Sequence, residues 1–213
     1  MHFLSADLEK YIDTNSESEP ILLQELTRET HLKVLQPRMI TGHYQGRVLS
    51  LLSKIIAPTT ILEIGTYTGY SALCLAEGLQ EKGKLHTIDI NEELRTMQRH
   101  YFDKSNIGDQ IIQHIGDAIE IVPKLDEVFD LIFIDAEKKS YDSYFETAIK
   151  KTKPGSVILS DNVLWSGKVV EPLKKSDIAT ETLLKYNQKL KTDPRVETVI
   201  LPIRDGLTLS RVI

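Results

Sequence analysis

The chain has 213 residues, 41% hydrophobic and 27% charged, which is enough for one sizeable core and too apolar for a disordered polymer. Its net charge of −5 argues against broad polyanion binding, which draws on clustered lysine and arginine. A single cysteine, Cys74, excludes an internal disulfide and any multi-cysteine metal centre; in its helical setting it reads as a small buried hydrophobe rather than a nucleophile.

The amino terminus, MHFLSADLEKY, carries acids and no apolar signal core. No apolar run approaches the roughly 20 residues of a membrane span, so the expected location is the cytoplasm. No repeat or low-complexity tract interrupts the chain. Leu4, Leu8, Tyr11 and Ile12 fall on one helical face, and PILLQELTRETHLKVL gives a second helix opened by Pro20. A third, from about His43 to Ala57, carries Val48, Leu49, Leu52, Ile55 and Ile56 and is stopped by Pro58.

From Thr59 onward, short apolar runs alternate with helical segments: TTILEIG, KLHTIDI, QIIQHIG, FDLIFID and SVILSDN. Ala72, Leu75, Ala76 and Leu79 mark one connecting helix, Leu94, Met97 and Tyr101 another, and Tyr141 to Lys151 a further one. This rhythm predicts an α/β fold with right-handed parallel crossovers and helices on both faces of an open sheet. After a helix around Asp177 to Lys191, VETVILPIRDGLTLSRVI reads as two strands joined by Arg204, Asp205 and Gly206, hence antiparallel.

Ligands of open α/β sheets sit beyond the carboxyl ends of the strands, near the reversal of strand order. The first strand ends in LEIGTYTGYS, where Gly65 and Gly69 permit close backbone approach before a helix start. The spacing lacks the middle glycine of a pyrophosphate-binding G-x-G-x-x-G. Glu63 just before the turn would repel a diphosphate and welcome an ammonium group. Asp89, 24 residues after Gly65, suits ribose hydroxyls, and Gly116 to Ala118 is placed to border an adenine ring. A nucleoside with a charged amino-acid tail, S-adenosylmethionine, fits this set best. The alternatives are a nicotinamide or nucleotide cofactor, or a ligand-free glycine turn with Glu63 favoured by the helix dipole and Asp89 as a helix cap.

The second constellation sits on the fourth and fifth strands. Asp135 follows four apolar residues, and Asp161 and Asn162 follow Val157 to Leu159, with no glycine or proline to turn the chain. If the two strands are neighbours, the three side chains share one rim. Two acids there would raise each other's pKa, so a cation between them is the economical solution. Hard oxygen donors without histidine or cysteine select Mg²⁺, Mn²⁺ or Ca²⁺ over zinc. Lys138, three residues beyond Asp135, is placed to reach the same rim as a base. In the competing reading, Asp135 caps the following helix, Asp161 makes a turn and Lys138 is a solvated charge.

Together, LEIGTYTGYSALCLA, FIDAEKKSYDSYF, LSDNVLWSGKV and LPIRDGLTLSR resemble the cation-dependent O-methyltransferases, the family of catechol O-methyltransferase and caffeoyl-CoA O-methyltransferase, and most closely its small bacterial members. The match runs from about Met39 to the carboxyl terminus. It implies a doubly wound, Rossmann-like seven-stranded sheet ending in an antiparallel strand, with extra N-terminal helices. It also implies a single domain over 1–213. Residues 1–38 would form helices that wall the acceptor pocket and contribute to a homodimer, and 39–213 the cofactor-binding core.

By the same resemblance Asp135, Asp161 and Asn162 would bind the metal and Lys138 would be the general base. Thr41, Glu63, Gly65, Thr66, Ser71, Asp89, Ala118 and Asp135 would line the S-adenosylmethionine site. In MITGHYQGRVL, Gln45 and Gly46 keep the family pattern, whereas Gly42 and His43 replace its usual Ser-Pro. Glu137 stands where the animal catechol enzymes have a tryptophan, and Trp165 matches bacterial members as part of the acceptor wall. The implied reaction is metal-assisted methyl transfer from S-adenosylmethionine to a hydroxyl of a catechol-like small molecule. Two alternatives are methylation of a tRNA hydroxyuridine, served by a patch of Lys150, Lys151, Lys153, Lys168, Lys174 and Lys175, and a catalytically silent nucleotide-binding protein.

Overall fold

A computed structural model describes residues 5–213. Leu4 of the first helical pattern and the start of the expected N-terminal segment lie outside the described residues. The first helix, α1 (Ala6–Thr14), is opened by Ser5, whose hydroxyl accepts from the Leu8 amide. Then come α2 (Ile21–Lys33), with Pro20 as its N-cap, and α3 (His43–Ile56), which ends where Ala57 turns left-handed ahead of Pro58.

The alternating part follows as β1 (Thr60–Ile64), α4 (Tyr70–Ala76), β2 (Lys84–Asp89), α5 (Arg95–Lys104), β3 (Ile111–Ile115), α6 (Ala118–Ile121), β4 (Leu131–Ile134), α7 (Tyr141–Ile149), β5 (Val157–Asp161), α8 (Ile178–Thr192), β6 (Val196–Leu201) and β7 (Leu207–Val212). The seven strands form one sheet in the order β3-β2-β1-β4-β5-β7-β6. The first five are parallel, and β7 runs antiparallel to both β5 and β6. This is the doubly wound, Rossmann-like arrangement with a final antiparallel strand that the sequence predicts.

The central strands are apolar at nearly every position because helices cover both faces. Ile61, Leu85, Phe133 and Leu159 point to one side, where they meet Leu49, Leu73 and Phe102. Leu62, Ile64, Ile132, Ile134 and Ile158 point to the other, against Phe145, Leu183 and Tyr186. Burying one such side chain contributes about 1.5–3 kcal/mol. That is enough to fix the register wherever alternate residues face different clusters.

One connection differs from its expected form. The helix carrying Ala72, Leu75 and Ala76 stops at Ala76, before Leu79, and all seven of its residues are buried. The amphipathic pattern is lost because α3 packs over its outer side. A Cβ on Gly46 of α3 would lie 2.5 Å from Tyr70 Cε1 and 2.9 Å from Cys74 Sγ. Arg47 donates two hydrogen bonds to Glu77 just beyond α4, and Ser50 and Lys54 add one each. Cys74 is fully buried and burial pushes its thiol up to about 12, so it is inert packing.

Candidate active site

Strand order reverses at β1, whose neighbours are β2 on one side and β4 on the other. Beyond the carboxyl ends of β1 to β5 opens a cleft of about 1860 Å³. Gly65, Asp89, Ala118, Asp135, Lys138, Asp161 and Asn162 line it from the sheet. Thr41 to Tyr44 enter from the start of α3, and Glu9, Ile12 and Asp13 from α1.

At the switch point Gly65 has φ +101°, and a Cβ there would sit 1.9 Å from the Asp135 carbonyl oxygen. A Cβ on Gly69, at φ +94°, would lie 2.7 Å from the Phe102 ring, and Gly69 is not part of the lining. Both glycines meet protein neighbours, a strand end and an aromatic ring, and Gly65 also lines the cleft. Asp89 anchors the same loop. Its Oδ2 accepts from the amides of Thr66 at 3.1 Å and Tyr67 at 2.7 Å, and its Oδ1 from Asn91 at 2.8 Å. Asn91, rather than Asp89, caps the next helical turn by accepting from the Glu93 amide.

Glu63, Thr66 and Ser71 lie behind the lining rather than in it. Glu63 is 0% exposed, in the middle of the sheet, and accepts a 2.5 Å hydrogen bond from the Thr87 hydroxyl, which also meets Thr66. Burial, reinforced by the charges of Asp135 and Asp89, pushes its carboxyl up to about 8 against the pull of Ser71 and Thr87. It is not the helix-start acid of the alternative reading.

The rim of β4 and β5 carries the two acids and the amide. The ladder pairs Leu131 with Val157 through to Ile134 with Ser160, so the next residues are Asp135 and Asp161. Asp161 is 3% exposed, and burial together with the charge of Asp135 lifts its carboxyl well above the usual carboxylate range. Asn162 turns the chain at φ 57°, left-handed backbone that asparagine tolerates better than most residues. Asp135 does not cap the following turn: Glu137 does, accepting from the Lys139 amide. Asp135 instead pairs with Lys138, whose Nζ donates to it at 2.9 Å. Lys138 is 7% exposed, which excludes the solvated-charge reading.

Two further residues join this rim that the sequence reading did not assign. The buried Tyr141 phenol accepts from Lys138 Nζ at 2.7 Å and donates to the Asp161 carbonyl at 2.8 Å. Burial and both aspartates hold that phenol well above its ordinary pKa, so it stays neutral. Gln45, from the first turn of α3, donates through Nε2 to Asp161 Oδ2 at 2.7 Å. The Asp-x-x-Lys-x-x-Tyr spacing of residues 135 to 141 offered a signal for Tyr141, since positions three apart meet on one helical turn. Nothing local signals Gln45, which is 116 positions from its partner.

Among the described residues no three His, Cys, Asp or Glu side chains gather into a metal-holding group. The candidate set is of another kind, two carboxylates and an amide. It fits a hard dication on two counts. Asp161 is buried where a charged carboxylate is costly, and the donors are all oxygens.

Thr41 opens onto the cleft where the chain enters α3, and Arg204 from the β6–β7 turn donates to the carbonyls of Thr41 and Ile40. Trp165, on the cleft wall after β5, is followed by Ser166 and Gly167; all three are left-handed. No helix of the described residues is long and apolar enough to cross a membrane.

Comparison with known proteins places this architecture. A family model described as O-methyltransferase matches residues 13–213. Caffeoyl-CoA O-methyltransferase 1 of Eucalyptus globulus is 37% identical over 91% of this chain and 82% of its own length. The enzyme of the same name from Arabidopsis thaliana is 36% identical, with 97% and 85% covered. Among solved structures, the O-methyltransferase of Bacillus cereus in complex with S-adenosylhomocysteine superposes with a TM-score of 0.90 at 29% identity, covering 97% of each chain. The O-methyltransferase TomG of Streptomyces achromogenes, in complex with S-adenosylmethionine, gives 0.88 at 27%, covering 97% of this chain and 96% of its own. A doubly wound sheet with its cleft at the β1 switch point, matched along nearly its whole length, belongs to the O-methyltransferase family, and the chain is a class I S-adenosylmethionine-dependent O-methyltransferase.

Proposed function

We propose that this enzyme methylates a hydroxyl of a catechol-like or other vicinal-oxygen small molecule, with Lys138 as general base and a divalent cation, Mg²⁺ first, held by Asp135, Asp161 and Asn162. The observation that carries the reading is the β4–β5 register, which makes two carboxylates neighbours at one rim beside a buried lysine. The names of the plant relatives, whose acceptor is a caffeoyl thioester, support a phenolic acceptor here.

In this reading Thr41, Gly65, Asp89, Ala118 and Asp135 face the methyl donor across the cleft, while Glu63, Thr66 and Ser71 support that surface from beneath. Asp89 keeps the loop after β1 in place through two amides and turns its remaining lone pairs to the ribose hydroxyls. Asp135, Asp161 and Asn162 would hold the cation, which would supply positive charge that eases ionisation of an acceptor hydroxyl at neutral pH. In its neutral amine form Lys138 accepts the hydroxyl proton on Nζ as the oxygen attacks the sulfonium methyl, the carbon–sulfur bond breaks and a neutral thioether leaves. The walls of the cleft hold the acceptor at near-attack distance.

Methyl transfer to catechol or caffeate should be abolished by a chelator and restored by Mg²⁺; undiminished turnover in chelator rejects the metal. Bulk tRNA, offered in parallel, should stay unlabelled, and labelling of tRNA instead of the phenols would replace the acceptor. Lys138→Met should lower kcat by at least about 100-fold, the scale of a lost general base. A variant with most of its turnover removes Lys138 from that role.

A further inference from the structure

Gln45 has no part in the function proposed above, yet it touches the middle of the rim. Its side chain is 1% exposed, and the amide it donates to Asp161 is one of two hydrogen bonds accepted by that carboxylate among the described residues. The other comes from the Asn162 amide to Oδ1 at 2.8 Å. An ionised carboxylate only accepts, so it takes the NH₂ end of the amide, leaving Gln45 Oε1 on the far side. That oxygen is buried and has no hydrogen-bond partner among the described residues. Buried carbonyl oxygens are rarely left unpaired, because the lost solvation is not repaid.

The backbone that carries Gln45 has little room to move. Gly46 is pressed against Tyr70 and Cys74, and Arg47 is locked to Glu77 at 2.7 and 3.1 Å. Arg204 holds the chain just ahead of the helix by the Ile40 and Thr41 carbonyls. A side chain mounted this firmly sets the rotation of its partner rather than following it.

We propose that Gln45 is a positioning residue for the cation: through its Nε2 bond to Oδ2 it fixes the orientation of the Asp161 carboxylate. This rests on the metal reading of Asp135, Asp161 and Asn162. Groups of this kind, outside the ligands but bonded to them, change metal affinity by 10–100-fold when removed. A glutamine that merely packs against Asp161 would change stability and leave the affinity alone.

The test is Mn²⁺ binding to the full chain with S-adenosylhomocysteine present, read from the loss of the free-ion electron paramagnetic resonance signal. Two variants are compared with the parent: Gln45→Met, which keeps length and volume, and Gln45→Asn, which keeps the amide but withdraws it by one methylene. Both should bind Mn²⁺ about 10–100-fold more weakly, with S-adenosylhomocysteine affinity within about twofold of the parent. Mn²⁺ affinity unchanged in either folded variant overturns the proposal. Should Gln45→Met lose S-adenosylhomocysteine binding, Gln45→Asn decides; loss in both assigns Gln45 to the fold and also overturns it. A parent that takes up no Mn²⁺ removes the metal reading itself, an outcome distinct from a parent that binds and variants that bind equally.

Discussion

Glu63 is an acid whose proton the fold holds more tightly than the unfolded chain does. The unfolded chain titrates it near 4.5 and the folded chain near 8, so between those values the folded state holds the extra proton. Its contribution to stability is therefore greatest below 4.5 and erodes as pH climbs towards 8, each tenfold in proton affinity being worth about 1.4 kcal/mol. Glu63→Gln cannot ionise and keeps a hydrogen-bonding oxygen for Thr87. In chelator, without the methyl donor, the melting temperature of the parent should fall relative to this variant between pH 5 and pH 8. Parallel curves would show that Glu63 ionises in the folded protein as it does in the unfolded one. Asp161 tilts the parent and the variant alike, so the difference between them isolates Glu63.

At the scale of elements, the contact of α3 with α4 decides where the site's outer support stands. Gly46→Ala would place a methyl within 2.5 Å of a buried tyrosine ring, a clash that overpacked cores resolve at a cost of about 1–3 kcal/mol. At roughly 2–4 °C per kcal/mol for a chain of this size, the melting temperature should drop by several degrees, measurable by calorimetry. An unchanged value would mean that the two helices slide apart freely. The alternation of strands and helices was legible in the sequence because apolar runs and helical faces are local patterns, and all seven strands lie where those patterns put them. Helix α4 was legible only in part, since burial on every side depends on α3, which no window around Ala72 contains.

Across the whole molecule, the same division between local and distant information recurs. The adjacency of Asp135 and Asp161 followed from the habit of consecutive parallel strands to pair. Gln45 and the floor role of Glu63 did not follow, because each depends on chain segments that meet only after the sheet is wound. The sheet carries the chemistry-bearing rim, and both of its central faces are sealed by core. The far wall of the cleft is of another make. Helix α1 buries none of its residues, although Glu9, Ile12 and Asp13 face the cavity, and His43 Nε2 reaches back to the Glu17 carbonyl at 2.6 Å. Substitutions on such a surface usually shift stability by no more than about 0.5 kcal/mol. The side chains that α1 turns to the cleft can thus be exchanged without disturbing the sheet, which makes this outermost helix the place to reshape the cavity while the rim stays as it is.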